Sequence, residues 1–162
     1  YQVPPFSSFS DGLLYCVHTT GISGFPVPVW YAFNPATNTV SSVGSFYLSA
    51  TSDDFNPAIA ADGVGDIFVT ETATDTGKKP MVLFGGALAG NPVTLNATPA
   101  AVSGVCLTGN GGNPQRWGDY SAARFDPGTS FSGTPGSVIG WITNQRVAGA
   151  KAWGTKIAKI RQ

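Results

Sequence analysis

Short apolar segments that recur between glycine- and proline-containing turns are the feature that most constrains the fold of this 162-residue chain. Residues 13–18 align with residues 67–72, about 54 positions apart, and residues 56–61 align with residues 119–124, about 63 positions apart. No stretch shows the 3.6-residue periodicity of an amphipathic helix. The sequence therefore predicts an all-β chain built from repeated units of roughly 50 residues.

Each predicted unit consists of a short strand of small residues, an Asp-Gly or Asp-Pro turn and one or more aromatic-rich strands. The chain is interpreted as a single all-β domain or fragment, residues 1–162, with units at approximately 1–50, 51–105 and 106–162. The first unit is predicted to lack the strand that would precede Leu13. Two folds fit this pattern, the blades of a β-propeller and a β-sandwich. Strands are predicted at 13–20, 27–33, 39–48, 57–61, 66–72, 80–84, 91–97, 120–125, 137–143 and 153–160.

One motif favours the propeller. Residues 116–121 read RWGDYS, Asp126 and Pro127 follow, and residues 153–158 read WGTKIA. This order resembles the RWGDYS…DP…WGTxIA signature in the C-terminal blades of a secreted bacterial β-propeller family that also has a distant likeness to sialidase propellers. The resemblance implies about three blades of a partial propeller and a secreted or cell-surface location.

Composition excludes several classes of function. Charged residues make up 11% of the chain, against about 25% in ordinary soluble proteins, and the nine basic residues balance the nine acidic ones. No basic run interleaves with aromatic residues, so nucleic-acid binding is not expected. No apolar run reaches the roughly 18–20 residues of a membrane span.

The first residue, Tyr1, and the missing blades predict that the chain is a processed piece of a longer precursor. A three-bladed piece would leave two open faces, for which we expect aromatic residues that include Tyr15, Trp30, Tyr31, Trp141 and Trp153. Because large apolar faces are rarely left in water, the expected partners are other blades of the same precursor or a second copy of the chain.

The candidate binding site lies in the loops that enter the inner strands, since propellers usually bind ligands at the mouth of their channel. A tryptophan beside polar groups suits a sugar, because the ring stacks on its apolar face. The alternative is that Arg116, Trp117 and Asp119 only build the blade. The predicted binding residues are Asp53, Asp54, Asn56, Arg116, Trp117, Asp119 and Tyr120.

Catalytic and metal sites are less well supported by the sequence. Glu71 is the only glutamate, and with Tyr120, Arg116 and Asp119 it resembles part of a sialidase active site. The arginine triad and the aspartate box of that site are missing, so no catalytic residue and no cofactor are predicted. The oxygen-rich Asp53-Asp54 pair would suit calcium, and the alternative is two solvated side chains.

Cys16 and Cys106 are the only cysteines, and His18 is the only histidine, so no zinc site is predicted. A disulfide between the cysteines would close a loop of about 90 residues and stabilise the fold by about 4–5 kcal/mol. The alternative is two free thiols that pack as small apolar side chains.

Together these observations predict an extracellular, non-enzymatic binding or scaffold module with a carbohydrate or protein ligand. The alternative function is a glycoside hydrolase of the sialidase type.

Overall fold

The structure is a computed structural model that describes residues 7–10, 12–96, 98–108, 117, 120–126 and 139–161, with the backbone alone described for 7–10. Every regular element in this part of the chain is a strand, and no helix there is long and apolar enough to cross a membrane. The strands are β1 (Ser7–Ser10), β2 (Leu13–Ile22), β3 (Phe25–Asn34), β4 (Thr39–Ser45), β5 (Asp53–Ala61), β6 (Ile67–Asp75), β7 (Lys78–Ala87), β8 (Thr94–Leu95), β9 (Ala101–Val102), β10 (Ala122–Phe125), β11 (Ile139–Gly149) and β12 (Ala152–Arg161).

These strands form three antiparallel sheets, each made of strands that follow one another in the chain. The first sheet has the order β1-β2-β3-β4, the second β5-β6-β7-β8 with β9 also paired to β7, and the third β10-β11-β12. This arrangement confirms the all-β prediction. The consecutive up-and-down order means that local hairpins, rather than long crossovers, bring most strand partners together.

The prediction that no strand precedes Leu13 is wrong, because β1 pairs antiparallel with β2 and Ser10 lies opposite Leu13. Three serines in four residues carry little apolar alternation, so this strand gives almost no sequence signal. The strand predicted at 91–97 is reduced to the two residues of β8, and β9 was not predicted. The strand predicted at 137–143 corresponds to the first part of β11, and its residues 137 and 138 lie outside the described residues.

The second sheet lies between the other two, and its first strand shows why. Ile59 and Ala61 of β5 pack into a cluster with the first sheet, while Ala58 and Ala60 pack into a cluster with the third. Alternate residues of one strand point to opposite faces, so β5 has a neighbouring sheet on each side. The small side chains of this strand allow both neighbours to approach closely.

The first sheet meets the second through Tyr15, Val17 and Trp30, all of which are buried. The prediction that Tyr15 and Trp30 belong to an open face is therefore wrong. The residues that alternate with these three along the strands point away from the second sheet. Among them, His18 stacks on Tyr31 with ring centroids 5.5 Å apart. The prediction also placed the neighbours Trp30 and Tyr31 on the same open face, whereas consecutive strand residues point to opposite faces and Trp30 is buried.

The third sheet approaches the second closely at Gly140 of β11. A Cβ at this position would lie 2.9 Å from Cδ1 of Phe68 and 3.2 Å from Cγ1 of Ile160. Phe68 is buried, and its ring also packs edge-on against that of Phe125 with centroids 5.2 Å apart. Only glycine leaves room for the phenylalanine ring at this crossing of the two sheets.

The turn between β5 and β6 is fixed by two aspartates. The Asp62 carboxylate accepts hydrogen bonds from the backbone N–H groups of Val64 at 3.0 Å and Asp66 at 2.8 Å. Asp66 in turn accepts from the N–H of Ala89 at 2.9 Å. The Asp-x-x-x-Asp spacing thus builds a turn, in which buried backbone donors find side-chain acceptors.

Candidate functional site

The predicted binding residues lie in two places that the fold brings together. Asp53, Asp54 and Asn56 form the start of β5, and Trp117 and Tyr120 immediately precede β10. Phe55 joins the two groups, since its ring meets that of Trp117 edge-on with centroids 6.0 Å apart. The other two predicted residues, Arg116 and Asp119, lie outside the described residues.

Trp117 and Tyr120 have different surroundings. Trp117 is half-buried, and its indole N–H is buried without a hydrogen-bond acceptor. Tyr120 is 70% exposed. The contact with Phe55 therefore favours the packing alternative for Trp117, whereas the Tyr120 ring is open to a partner.

Asn56 occupies a β-bulge at which the pairing of β5 with β6 shifts register between Phe55 and Ala58. Its φ of 54° lies in the left-handed region, which asparagine adopts more easily than most residues. The bulge turns the Asn56 side chain towards the third sheet, where its amide Nδ2 donates to Oδ1 of Asn144 at 3.1 Å. Bulges commonly redirect a side chain in this way.

Asn144 completes a polar connection between the second and third sheets. Its Nδ2 donates to the backbone oxygen of Asn56 at 3.1 Å, and its Oδ1 also accepts from Oγ1 of Thr72 at 3.1 Å. A second connection runs from Oγ of Ser121 to the backbone oxygen of Pro57 at 2.9 Å. Asn56 and Asn144 therefore join the two sheets. The sequence did not predict a role for Asn144, whose one signal is an amide side chain within a strand that also contains apolar residues.

The adjacent Asp53 and Asp54 have opposite environments, because consecutive strand residues point to opposite faces. Asp53 is exposed. Asp54 is fully buried, and its carboxylate accepts hydrogen bonds from the Leu48 N–H at 2.8 Å and from the Ser52 hydroxyl. The two carboxylates therefore do not converge on one ion, and within the described ranges no group of three or more His, Cys, Asp or Glu is placed to hold a metal.

Glu71 lies on β6, fully buried beside Asp54. Apart from the neighbouring Asp54 carboxyl, neither of its carboxyl oxygens has a hydrogen-bond partner. Burial raises the pKa of Glu71 well above its usual value, and the neighbouring Asp54 carboxyl raises this pKa further. The folded protein consequently favours the protonated, neutral form of Glu71.

The two cysteines are free thiols, half-buried at Cys16 and exposed at Cys106. The disulfide alternative is therefore not formed in this structure. Burial raises the pKa of the Cys16 thiol, which makes it a poor nucleophile at neutral pH.

One cleft, with a volume of about 700 Å³, lies between the end of the first sheet and strands β7 and β8. A second cleft of about 410 Å³ lies beside Trp30, and a third of about 250 Å³ lies beside Phe84. No carboxylate lines any of these three clefts. The walls of the first cleft include Phe46, Leu48, Met81, Leu83 and Leu95, with Lys78 as its charged residue.

The outer face of the third sheet is a second candidate surface. Ile142 and Ile160 pack on the second sheet, so the residues that alternate with them on the same strands point away from it. Among these, Trp141 is 41%, Trp153 62% and Ile157 65% exposed. The expectation that Trp141 and Trp153 lie on an open face is confirmed.

Trp141 is held in place by two charged neighbours. Its indole N–H donates to Oδ2 of Asp126 at 3.2 Å, and the Lys159 ammonium lies 5.6 Å from its ring centroid, within the range of a cation–π contact. The large ring is thus oriented at the surface.

Comparison with protein-family models, with curated proteins and with solved structures finds no match for this chain. The likeness to a secreted propeller family therefore stays a prediction, and the function has to be argued from the site itself.

Proposed function

We propose that this chain is a non-enzymatic binding or scaffold module, formed by three consecutive blades of a secreted β-propeller, with a carbohydrate or protein ligand. The observation that carries the proposal is the contrast between carboxyl and aromatic groups. Asp54 and Glu71 are fully buried, whereas Tyr120, Trp141 and Trp153 present large rings to solvent. Exposed aromatic rings serve binding, while a hydrolase needs carboxyl groups within reach of its substrate.

The arrangement of the sheets supports the blade interpretation over the sandwich. A sandwich packs two sheets face to face, whereas here a middle sheet is packed on both sides. Each sheet is also an up-and-down meander that begins at its first strand, β1, β5 or β10. β5 contacts both β1 and β10, as neighbouring inner strands of a propeller do.

A glycoside hydrolase of the sialidase type is the second candidate, favoured by one observation. Glu71 is a carboxyl group with a raised pKa beside a second carboxyl group, which is the environment of many general acids. Its complete burial weighs against this role, because a general acid has to reach the glycosidic oxygen.

A glycan array run beside a panel of fluorogenic glycosides tests the proposal. We expect binding to glycans and no turnover of any glycoside. Turnover that disappears in Glu71→Gln, with folding unchanged, would establish the hydrolase instead.

We propose further that the chain associates with other blades of its precursor, or with a second copy of itself, through the outer face of its first sheet. Tyr31 and Val43 face each other across β3 and β4, as do Phe33 and Val40. Both valines are exposed, so this face combines aromatic and β-branched side chains, of the kind that sheets bury against one another.

Sedimentation of the purified chain tests this association. We expect species larger than the 16.7 kDa of the single chain. A monodisperse monomer that unfolds cooperatively would contradict the association and would revive a closed β-sandwich.

A further inference from the structure

The two charge types are distributed very unevenly along a chain whose total charge is zero. Seven of the nine basic residues but only two of the nine acidic ones lie within residues 106–162. Four of the acidic residues outside this range, Asp54, Asp62, Asp66 and Glu71, are buried. The third sheet therefore gives the surface a positive region that the balanced composition conceals.

Among the described residues, no basic residue of the third sheet forms an ion pair. In the part of the chain that the structure describes, the one salt bridge joins Lys78 to Asp75, which belong to the second sheet. Arg124 and Lys159 are exposed on the third sheet, where the guanidinium of Arg124 donates to the backbone oxygen of Ala123 at 3.2 Å. Their charges are available to an anion from solvent.

The strand register places these cations beside an aromatic ring. Trp141 of β11 lies opposite Arg124 of β10 on one side and opposite Lys159 of β12 on the other. Residues that face each other across a ladder point to the same face, so the three side chains form one row on the outer surface. Arg161, two residues beyond Lys159, lies at the same end of the sheet.

Beyond this row the described residues of the face carry no charged side chain up to a second tryptophan. Rows on one face repeat every two residues, about 6–7 Å apart. The row of Trp153 is therefore roughly 20 Å from that of Trp141. After Trp141 the cross-strand pairs are Thr143 with Ile157, Gln145 with Thr155, and Val147 with Trp153. Val147 is buried, so Trp153 is the exposed member of the last pair.

We propose that the outer face of the third sheet binds an acidic polysaccharide. A carboxylate or sulfate of the sugar chain contacts Arg124 and Lys159, and sugar rings stack on Trp141 and Trp153. The inference rests on the proposed function as a binding module, and it adds the surface and the chemical class of the ligand. A guanidinium suits this anion because it donates parallel hydrogen bonds to a planar carboxylate.

The pattern of charge favours a sugar chain over a single-stranded nucleic acid. A nucleic acid carries a phosphate on every nucleotide, and its binding sites follow the backbone with basic groups. On this face the cations Arg124 and Lys159 lie at one end, and the middle rows contain Thr143, Gln145 and Thr155. Their hydroxyl and amide groups match the hydroxyls of a sugar.

Charge also argues against a second copy of the first sheet as the occupant of this face. The described residues of that sheet include no carboxylate, and Cys16, His18, Val29 and Tyr31 occupy the central positions of its outer face. Asp126, a carboxylate beside the cationic row, accepts the hydrogen bond of the Trp141 indole and orients that ring. The ligand must therefore bring its own negative charge.

Titrations of the full chain with four polymers test the proposal, followed by tryptophan fluorescence and by calorimetry. Polygalacturonate supplies carboxylates, dextran sulfate supplies sulfates, dextran is neutral, and poly(dT) is a single-stranded nucleic acid. We expect binding to one or both acidic polysaccharides, weakened by salt, and none to dextran. The double variant Arg124→Gln/Lys159→Gln should bind about tenfold more weakly or worse, as expected when charge-assisted hydrogen bonds are lost.

A matched control changes the same net charge elsewhere. Lys78→Gln/Lys79→Gln lies at the start of β7 on the second sheet and should bind as the native chain does. Trp153→Ala should weaken binding with an unchanged melting temperature, because this ring is largely exposed.

The outcomes separate this inference from the proposed function. Binding to dextran alone, or acidic-polysaccharide binding that the Arg124/Lys159 variant retains, would overturn the surface assignment and leave the binding module intact. Tighter binding to poly(dT) than to either acidic polysaccharide would show that the face recognises nucleic acid and would overturn the inference. Hydrolysis of a glycoside would refute the proposed function instead.

Discussion

Glu71→Gln is expected to make the protein more stable than the native chain at neutral and alkaline pH. Glu71 is fully buried on β6, and apart from the neighbouring Asp54 carboxyl neither of its carboxyl oxygens has a hydrogen-bond partner. Ionising this group in the folded state would leave an uncompensated buried charge next to a second carboxylate. Glutamine has nearly the same shape and cannot ionise.

The sign and the slope of the pH dependence of stability follow from proton linkage. Because burial raises the pKa of Glu71, its contribution to stability is fully present below the unfolded-state pKa of about 4.3. It is lost as the pH rises towards the folded-state pKa, since the unfolded chain releases this proton while the folded chain retains it. In that window the free energy of unfolding falls by about 1.4 kcal/mol for each pH unit. Glu71→Gln has no carboxyl group to ionise at this position and does not show this fall. The difference in free energy of unfolding between the variant and the native chain therefore grows by about 1.4 kcal/mol per pH unit.

Urea unfolding between pH 4 and pH 9, followed by tryptophan fluorescence, measures the difference between the two proteins. Asp53→Asn is the matched control, because it removes a carboxyl group that is exposed on the adjacent strand. The control should track the native chain. The reasoning fails if the stability curves of the native chain and Glu71→Gln run parallel over this pH range.

Four further predictions concern packing, the connections between sheets and the cysteines. Gly140→Ala should lower the free energy of unfolding by about 1–3 kcal/mol through overpacking, whereas Gly21→Ala, whose Cβ meets nothing within 4 Å, should change it little; equal effects in urea unfolding would contradict the close approach of the sheets. Asn144→Ala should cost about 2–4 kcal/mol in the same assay, since it leaves buried donors and acceptors of two sheets unpaired; a neutral result would refute the cross-sheet connection. Trp117→Ala should lose less than the roughly 3–5 kcal/mol of a fully buried tryptophan, because the side chain is half-buried; an unchanged melting temperature would remove its packing role. A reducing agent should not shift the melting temperature, because both cysteines are free thiols; a marked decrease would show that they pair.

Much of the fold could be read from local pattern. Short runs of apolar and aromatic residues, separated by turn residues, predicted the strands that pair through hairpins, such as β2 with β3 and β6 with β7. The strand β1 was not predicted, because Ser7–Ser10 carries almost no such pattern. These residues form a strand by pairing with β2. Of the candidate site, the exposure of Trp141 and Trp153 could be anticipated, while the opposite environments of Asp53 and Asp54 could not.

The sequence by itself determined an all-β chain of successive antiparallel hairpins, because period-2 alternation and turn chemistry act between residues that are close along the chain. Only the tertiary structure decided which face of each sheet meets a neighbour. That choice buried Tyr15 and Trp30, joined Asn56 to Asn144 and enclosed Glu71 beside Asp54. It also left the cations of the third sheet on an open surface. Alternation is the same whichever face is covered, so burial, pKa and exposure follow from contacts between sheets that are distant in sequence.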